Sequence, residues 1–151
     1  MADRAVSPVV GVVCLVAVTV VLAAGVGAGT QLTTPSKPTT ASFDVTADDT
    51  GEVTVRHRGG DSIDPAALDI HVRIDGEPLD RQPPVPFFSA RGFESGPTGP
   101  FNSARSEQWR AGETASFRIA GTNSPRLRAD DTVTVRISVD GHDLARLETT
   151  V

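Results

Sequence analysis

Leu68-Asp69-Ile70-His71-Val72-Arg73-Ile74-Asp75-Gly76 is the stretch that decides the fold. Apolar residues occupy every second position and polar ones the positions between, the period of a strand with one buried face. Asp75-Gly76 is a type I′ hairpin signal, because both central residues of that turn need positive φ. The same grammar extends in both directions. Phe43, Val45 and Ala47 alternate with Asp44 and Thr46, Asp48-Asp49-Thr50-Gly51 turns the chain, and Val53, Val55 and His57 alternate with Thr54, Arg56 and Arg58. Toward the C-terminus, Ala115, Phe117 and Ile119 form one apolar face, and Val133, Val135, Ile137 and Val139 another. Asp140-Gly141 then turns the chain into Leu144, Ala145 and Leu147. Pro65-Ala66-Ala67 has room for a helical turn at most. About seven short strands with turns between them and no helical period predict a mostly β head over 43–151, an antiparallel immunoglobulin-like β-sandwich. A head of that size is large enough for one core.

One segment breaks the pattern. Gln82 to Ala104 reads QPPVPFFSARGFESGPTGPFNSA and holds four of the six Phe, with Trp109 close behind. A loop this long inside a compact domain is usually functional or disordered, and its aromatics argue for order. Two readings follow. Phe87, Phe88, Phe93 and Phe101 cap one open end of the sandwich, or the same rings, with Trp109, present an interaction surface built on rigid aromatic anchors.

The N-terminal part is a different material. Val9 to Ala28, VVGVVCLVAVTVVLAAGVGA, has Thr19 as its one polar residue. As a helix rising ~1.5 Å per residue, twenty residues reach about 30 Å, the thickness of a bilayer's hydrocarbon core. This predicts an N-terminal transmembrane α-helix over 6–29. Thr30 to Ser42, TQLTTPSKPTTAS, then forms an extended hydrated linker. Every charge except Asp3 and Arg4 lies at or beyond Lys37, so the whole net charge of −5 belongs to the C-terminal part. With Arg4 as the only cation before the apolar run, residues 1–5 belong in the cytoplasm and the head outside, a single-pass cell-membrane protein.

Asp3-Arg4-Ala5-Val6-Ser7-Pro8-Val9-Val10-Gly11-Val12-Val13, followed by Leu15 to Ala24, resembles the N-terminal segment of archaeal type IV pilins, in particular the haloarchaeal type. The resemblance implies a class III signal: a leader of residues 1–5, with a membrane-bound prepilin peptidase cutting between Ala5 and Val6 and Arg4 just before the cut. It also implies that the helix, with Val9, Val10, Val13, Leu15, Val16, Val20 and Leu22, stays on the mature chain as membrane anchor or filament core. Other pilin subunits are then partners in a homo- or hetero-oligomer, and a pilus is one destination. Val10 stands where bacterial pilins carry Glu.

Composition narrows the rest. One Cys excludes an intramolecular disulfide framework and a thiolate-rich zinc site. A charge of −5 argues against nucleic acid. Thirteen Arg against one Lys, and thirteen Asp against six Glu, suggest a salt-adapted, halophilic surface. No catalytic set assembles: His57 falls on an apolar strand face, His71 on a polar one and His142 in a turn. Asp48-Asp49 with Glu52, and Asp130-Asp131, read as turn caps better than as a cation site. The expectation is a non-enzyme without cofactor or metal. It is either a pilin-like structural subunit or a membrane-anchored extracellular binding or adaptor domain that does not assemble. A secreted protein cut near Ala28 is the remaining alternative.

Overall fold

A computed structural model describes residues 6–29, 37–105 and 107–151. The chain divides into two compact units between Lys37 and Pro38. The expected leader residues Arg4 and Ala5, and most of the linker, lie outside the described residues.

The first unit contains helix α1, Val6–Gly29, of 24 residues. Pro8 sits in its first turn, where the missing N–H would have had no partner in the helix. From Pro8 to Ala24 every side chain is exposed. Thr19 donates its hydroxyl to the Leu15 carbonyl at 2.7 Å, so its polar group is satisfied inside the helix. Among the described residues no helix is long and apolar enough to cross a membrane.

The second unit is built of seven strands: β1 Ala41–Ala47, β2 Glu52–Gly60, β3 Leu68–Ile74, β4 Glu77–Pro78, β5 Thr114–Arg118, β6 Thr132–Val139 and β7 His142–Thr150. They form two antiparallel sheets, one ordered β1-β2-β5 and one ordered β4-β3-β6-β7. The alternation read from sequence sets the faces. Leu68, Ile70, Val72 and Ile74 of β3 are buried beside Val133, Val135 and Ile137 of β6, while Val53 and Val55 of β2 and Phe117 of β5 are buried on the other sheet. All belong to one apolar cluster. The hairpins turn where the sequence says. Asp75 and Gly76 have φ of 49° and 80°, and Asp140 and Gly141 have 50° and 78°, the left-handed pair that a type I′ turn requires. Pro65–Ala67 is a 3₁₀ turn, capped by Asp64 accepting from the Ala66 amide at 2.9 Å.

Backbone groups at two sheet edges are satisfied by loop rather than by strand. Along the outer edge of β5, the amides of Thr98 and Glu94 donate to the carbonyls of Ser116 and Arg118 at 2.8 and 2.9 Å. The Thr98 hydroxyl accepts from the Ser116 amide at 2.9 Å. The aromatic loop therefore lies where a fourth strand of that sheet would run. On β3, beyond the two-residue β4, the Gln82 carboxamide takes over. Its Oε1 accepts from the Val72 amide at 2.7 Å and its Nε2 donates to the Val72 carbonyl at 3.1 Å. Unpaired edges invite intermolecular pairing, and both devices blunt them.

Gln82→Ala strands the amide of Val72, which is fully buried. The expected cost is about 1–3 kcal/mol. Urea unfolding followed by the fluorescence of Trp109, the chain's one Trp, measures it; an unchanged midpoint would show that the edge needs no such partner.

Candidate functional site

The five aromatic residues expected at an interaction surface divide sharply. Phe87, Phe93, Phe101 and Trp109 are buried in the core, whereas Phe88 is 59% exposed. Four of the five thus pack in the core rather than on a contact face, and of the five Phe88 alone is left at the surface. β5 is short and has no strand beyond it, so the loop that satisfies its edge also brings its rings inward. The rings run in a continuous series: Phe87 to Phe93 and Phe93 to Phe117, each at 5.7 Å between centroids, then Phe117 to Phe101 at 6.0 Å and Phe101 to Trp109 at 5.2 Å. Trp109 completes the series against Phe43 at 5.1 Å and His57 at 5.7 Å. Its backbone pairs with Ile63 in both directions and its indole N–H donates to the Glu113 carbonyl at 3.2 Å.

The titratable groups are engaged in structure. His57 is fully buried, and its Nε2–H donates to the Asp61 carbonyl at 3.0 Å, which leaves Nδ1 as an enclosed acceptor without a partner. His71 lies 3.4 Å from Asp69, and His142 Nδ1 contacts the Asp140 carbonyl at 3.1 Å. Asp48 Oδ1 accepts from the Thr50 hydroxyl and from the amides of Thr50 and Glu52. The Thr50 hydroxyl above all, then those amides, hold the Asp48 carboxyl below its ordinary value. Glu52 accepts from the Ser116 hydroxyl and from Arg118, each at 3.0 Å. That bond is also what most raises the Arg118 guanidinium above its usual range. Asp131 caps the Arg128 amide at 2.7 Å. These carboxylates are turn caps and cross-strand partners. Among the described residues no group of three or more His, Cys, Asp or Glu is placed to hold a metal ion.

One organising residue gives no sequence signal. Asn123 is buried, and its carboxamide donates to the carbonyls of Arg81 and Gly92 at 2.9 and 3.2 Å. It accepts in turn from the amides of Arg81 and Ser124. Two points of the β4–β5 connection are thus tied to the β5–β6 connection by one side chain. Gly92 has φ of 86°, and a Cβ there would sit 2.8 Å from the Asn123 amide nitrogen, so glycine is required at that approach. An isolated Asn in a turn-like stretch looks like any other loop polar residue.

The helix remains the other candidate. Val9, Val10, Val13, Leu15, Val16, Val20 and Leu22 are all exposed, on every side of it. Residues 4–43 match the family described as archaeal type IV pilin, N-terminal. The match spans α1 and ends on Phe43 in β1, so it leaves nearly all of the head outside. No curated protein matches the chain.

The lowered Asp48 value sets a pH dependence. Its folded-state value lies below the ordinary 3.8, so the stabilisation from ionised Asp48 is present above 3.8 and is lost as pH falls through the folded value. Thr50→Val removes the largest contributor, and the Asp48 carboxyl should then titrate closer to 3.8 in a ¹³C NMR titration. An unmoved midpoint would assign the shift to the amides and to the Arg118 charge.

Proposed function

We propose that the chain is a type IV pilin-like surface protein, made as a membrane-anchored precursor. In this reading prepilin peptidase cuts between Ala5 and Val6, α1 then holds the protein in the cell membrane with the head outside, and subunits assemble through α1 into a filament. The observation that carries this is helix α1, apolar and with the side chains of residues 8–24 exposed on all sides, inside a segment that matches the pilin N-terminal family. A helix that is hydrophobic all round needs lipid or other helices around it. The sequence supports this reading: as a helix at ~1.5 Å per residue, the apolar run Val9 to Ala28 would reach about 30 Å, the thickness of a hydrocarbon core. The internal bond of Thr19 suits such a solvent, where each polar group must find its partner within the helix.

The head is read as an immunoglobulin-like β-sandwich. Support comes from the strand order: the first, second and fifth strands share one sheet, the third, sixth and seventh the other, and the fourth pairs with the third. Its role is structural or recognitive rather than catalytic, since His57 is packed in the core and the paired carboxylates serve turns and cross-strand bonds. The Arg- and Asp-rich exposed faces, with pairs such as Arg58–Asp44 and Arg118–Glu52, suit a surface adapted to high salt.

The alternative, an anchored extracellular binding domain that does not assemble, is favoured by one observation: the family match stops at Phe43 and does not reach the rest of the head. N-terminal sequencing of native protein should begin at Val6, and a start near Gly29 would overturn prepilin processing. Val16→Asp should abolish sheared surface filaments, since a mid-span Asp costs about 2.5–3.5 kcal/mol of insertion. Filament yield equal to wild type would refute the helix-core role, and wild-type protein found only in membranes would establish the alternative.

A further inference from the structure

The outer face of the four-stranded sheet carries a feature that neither the helix nor the aromatic loop accounts for. Strand register places His71 opposite Arg136, and Arg136 opposite Arg146, in one row across β3, β6 and β7. His71 and Arg136 lie on the outer face, because their strand neighbours Val72, Val135 and Ile137 are buried, and Arg146 is exposed opposite Arg136. Arg73 follows two residues along β3. Like charges directly opposed destabilise a sheet, and a chain with a net charge of −5 has carboxylates enough to have separated them. They surround a hollow of about 130 Å³ instead, with Thr134 and the edge-capping Gln82 also in its wall and no carboxylate lining it.

The acids of this face stand outside the hollow. Asp69 lies beside His71, Glu148 stands opposite Thr134 two residues along β7 from Arg146, and Asp143 forms an ion pair with Arg136 Nε at 3.7 Å, longer than a hydrogen bond. Arg136 Nε is enclosed by protein and donates to nothing. Among the described residues Arg73 and Arg146 have no ion-pair partner. The Gln82 carboxamide is committed to Val72 and Leu79, so it shapes the wall without competing for a ligand.

We propose that this hollow binds a small oxyanion: a carboxylate, sulfate or phosphate group gripped between the Arg136 and Arg146 guanidiniums, with Thr134 as a neutral donor. Guanidinium is the group suited to it, since its planar fork pairs with two oxygens at once. A hollow of about 130 Å³ has room for one such group. The group arrives as a free ion or as the acid of a sugar, and both share the chemistry that these side chains recognise. The inference stands independently of the pilin reading, because no part of it uses α1.

The test uses the full chain in detergent micelles, titrated separately with sodium sulfate and sodium glucuronate at an ionic strength held constant with sodium chloride. The Nε–Hε resonances of Arg136 and Arg146 are followed by ¹H–¹⁵N NMR, with Arg58, paired to Asp44 on the other sheet, as the control. Saturable shifts of Arg136 and Arg146 with Arg58 unmoved are expected. Saturation by sulfate alone assigns a free tetrahedral ion, and saturation by glucuronate assigns a sugar acid. Arg146→Gln should weaken binding at least about tenfold while Trp109 fluorescence stays native. Arg146 is exposed, so this variant decides the matter even where Arg136→Gln fails to fold. Shifts that grow without saturation at all three arginines, or wild-type binding by Arg146→Gln, would overturn the site.

Discussion

Along the outer edge of β5, the carbonyls of Ser116 and Arg118 need donors, and in a three-stranded sheet there is no fourth strand to supply them. Unpaired backbone at the rim of a core costs about as much as a lost hydrogen bond. Thr98 and Glu94 meet the need, and much else follows. A chain drawn along that edge carries Phe93 and Phe101 to the core, where they touch Phe117. The neighbouring Ser116 hydroxyl links Thr98 to Glu52, and Glu52 holds Arg118. A polar ladder on one side of the edge and a ring series on the other are therefore two results of a single unfilled strand position.

That dependence explains which parts of the head were legible in its sequence. β3, β6 and the two Asp-Gly turns are governed by near-neighbour rules: a two-residue period, and a backbone conformation that few residues accept. They can be read from adjacent letters, and the registers Ile74 with Glu77 and Val139 with His142 agree. The buried placing of His57 was visible for the same reason, since it shares a face with Val53 and Val55. The loop obeyed no local rule. Four Phe among Pro and Gly serve equally as anchors for a partner or as core, and only the length of β5, set by residues far away, decides between them. Asn123 and Gln82 were hidden for a related reason: each satisfies backbone groups distant in sequence, and a carboxamide does not show from its neighbours which carbonyl it will reach. The cationic row depends on register across three strands, which no single strand reveals.

The two units solve opposite problems. The head buries every Phe and Trp except Phe88 and carries a net charge of −6, whereas α1 exposes valines and leucines on every side and carries no charge. One has an apolar core of its own; the other is apolar with no core of its own, the kind of helix ordinarily surrounded by other helices or lipid. Their chemistry changes over a short Thr- and Pro-rich stretch, and the family match covers the apolar unit and little beyond it.

Phe43 is where these descriptions meet, being both the last matched residue and a ring of the core series. β1 begins at the chain's entry to the head. There Thr40 and Asp61 exchange bonds, through the Asp61 amide and a carboxylate oxygen, and Gly60 is so close that a Cβ would lie 2.2 Å from the Thr40 carbonyl oxygen. β1 then pairs with β2 along its whole length, from Ala41 to Ala47. Traction applied through the N-terminal segment along the axis of β1 would load that ladder in shear, so its bonds yield together rather than one at a time. The strand joining the head to its tether is in this way also a mechanical clasp.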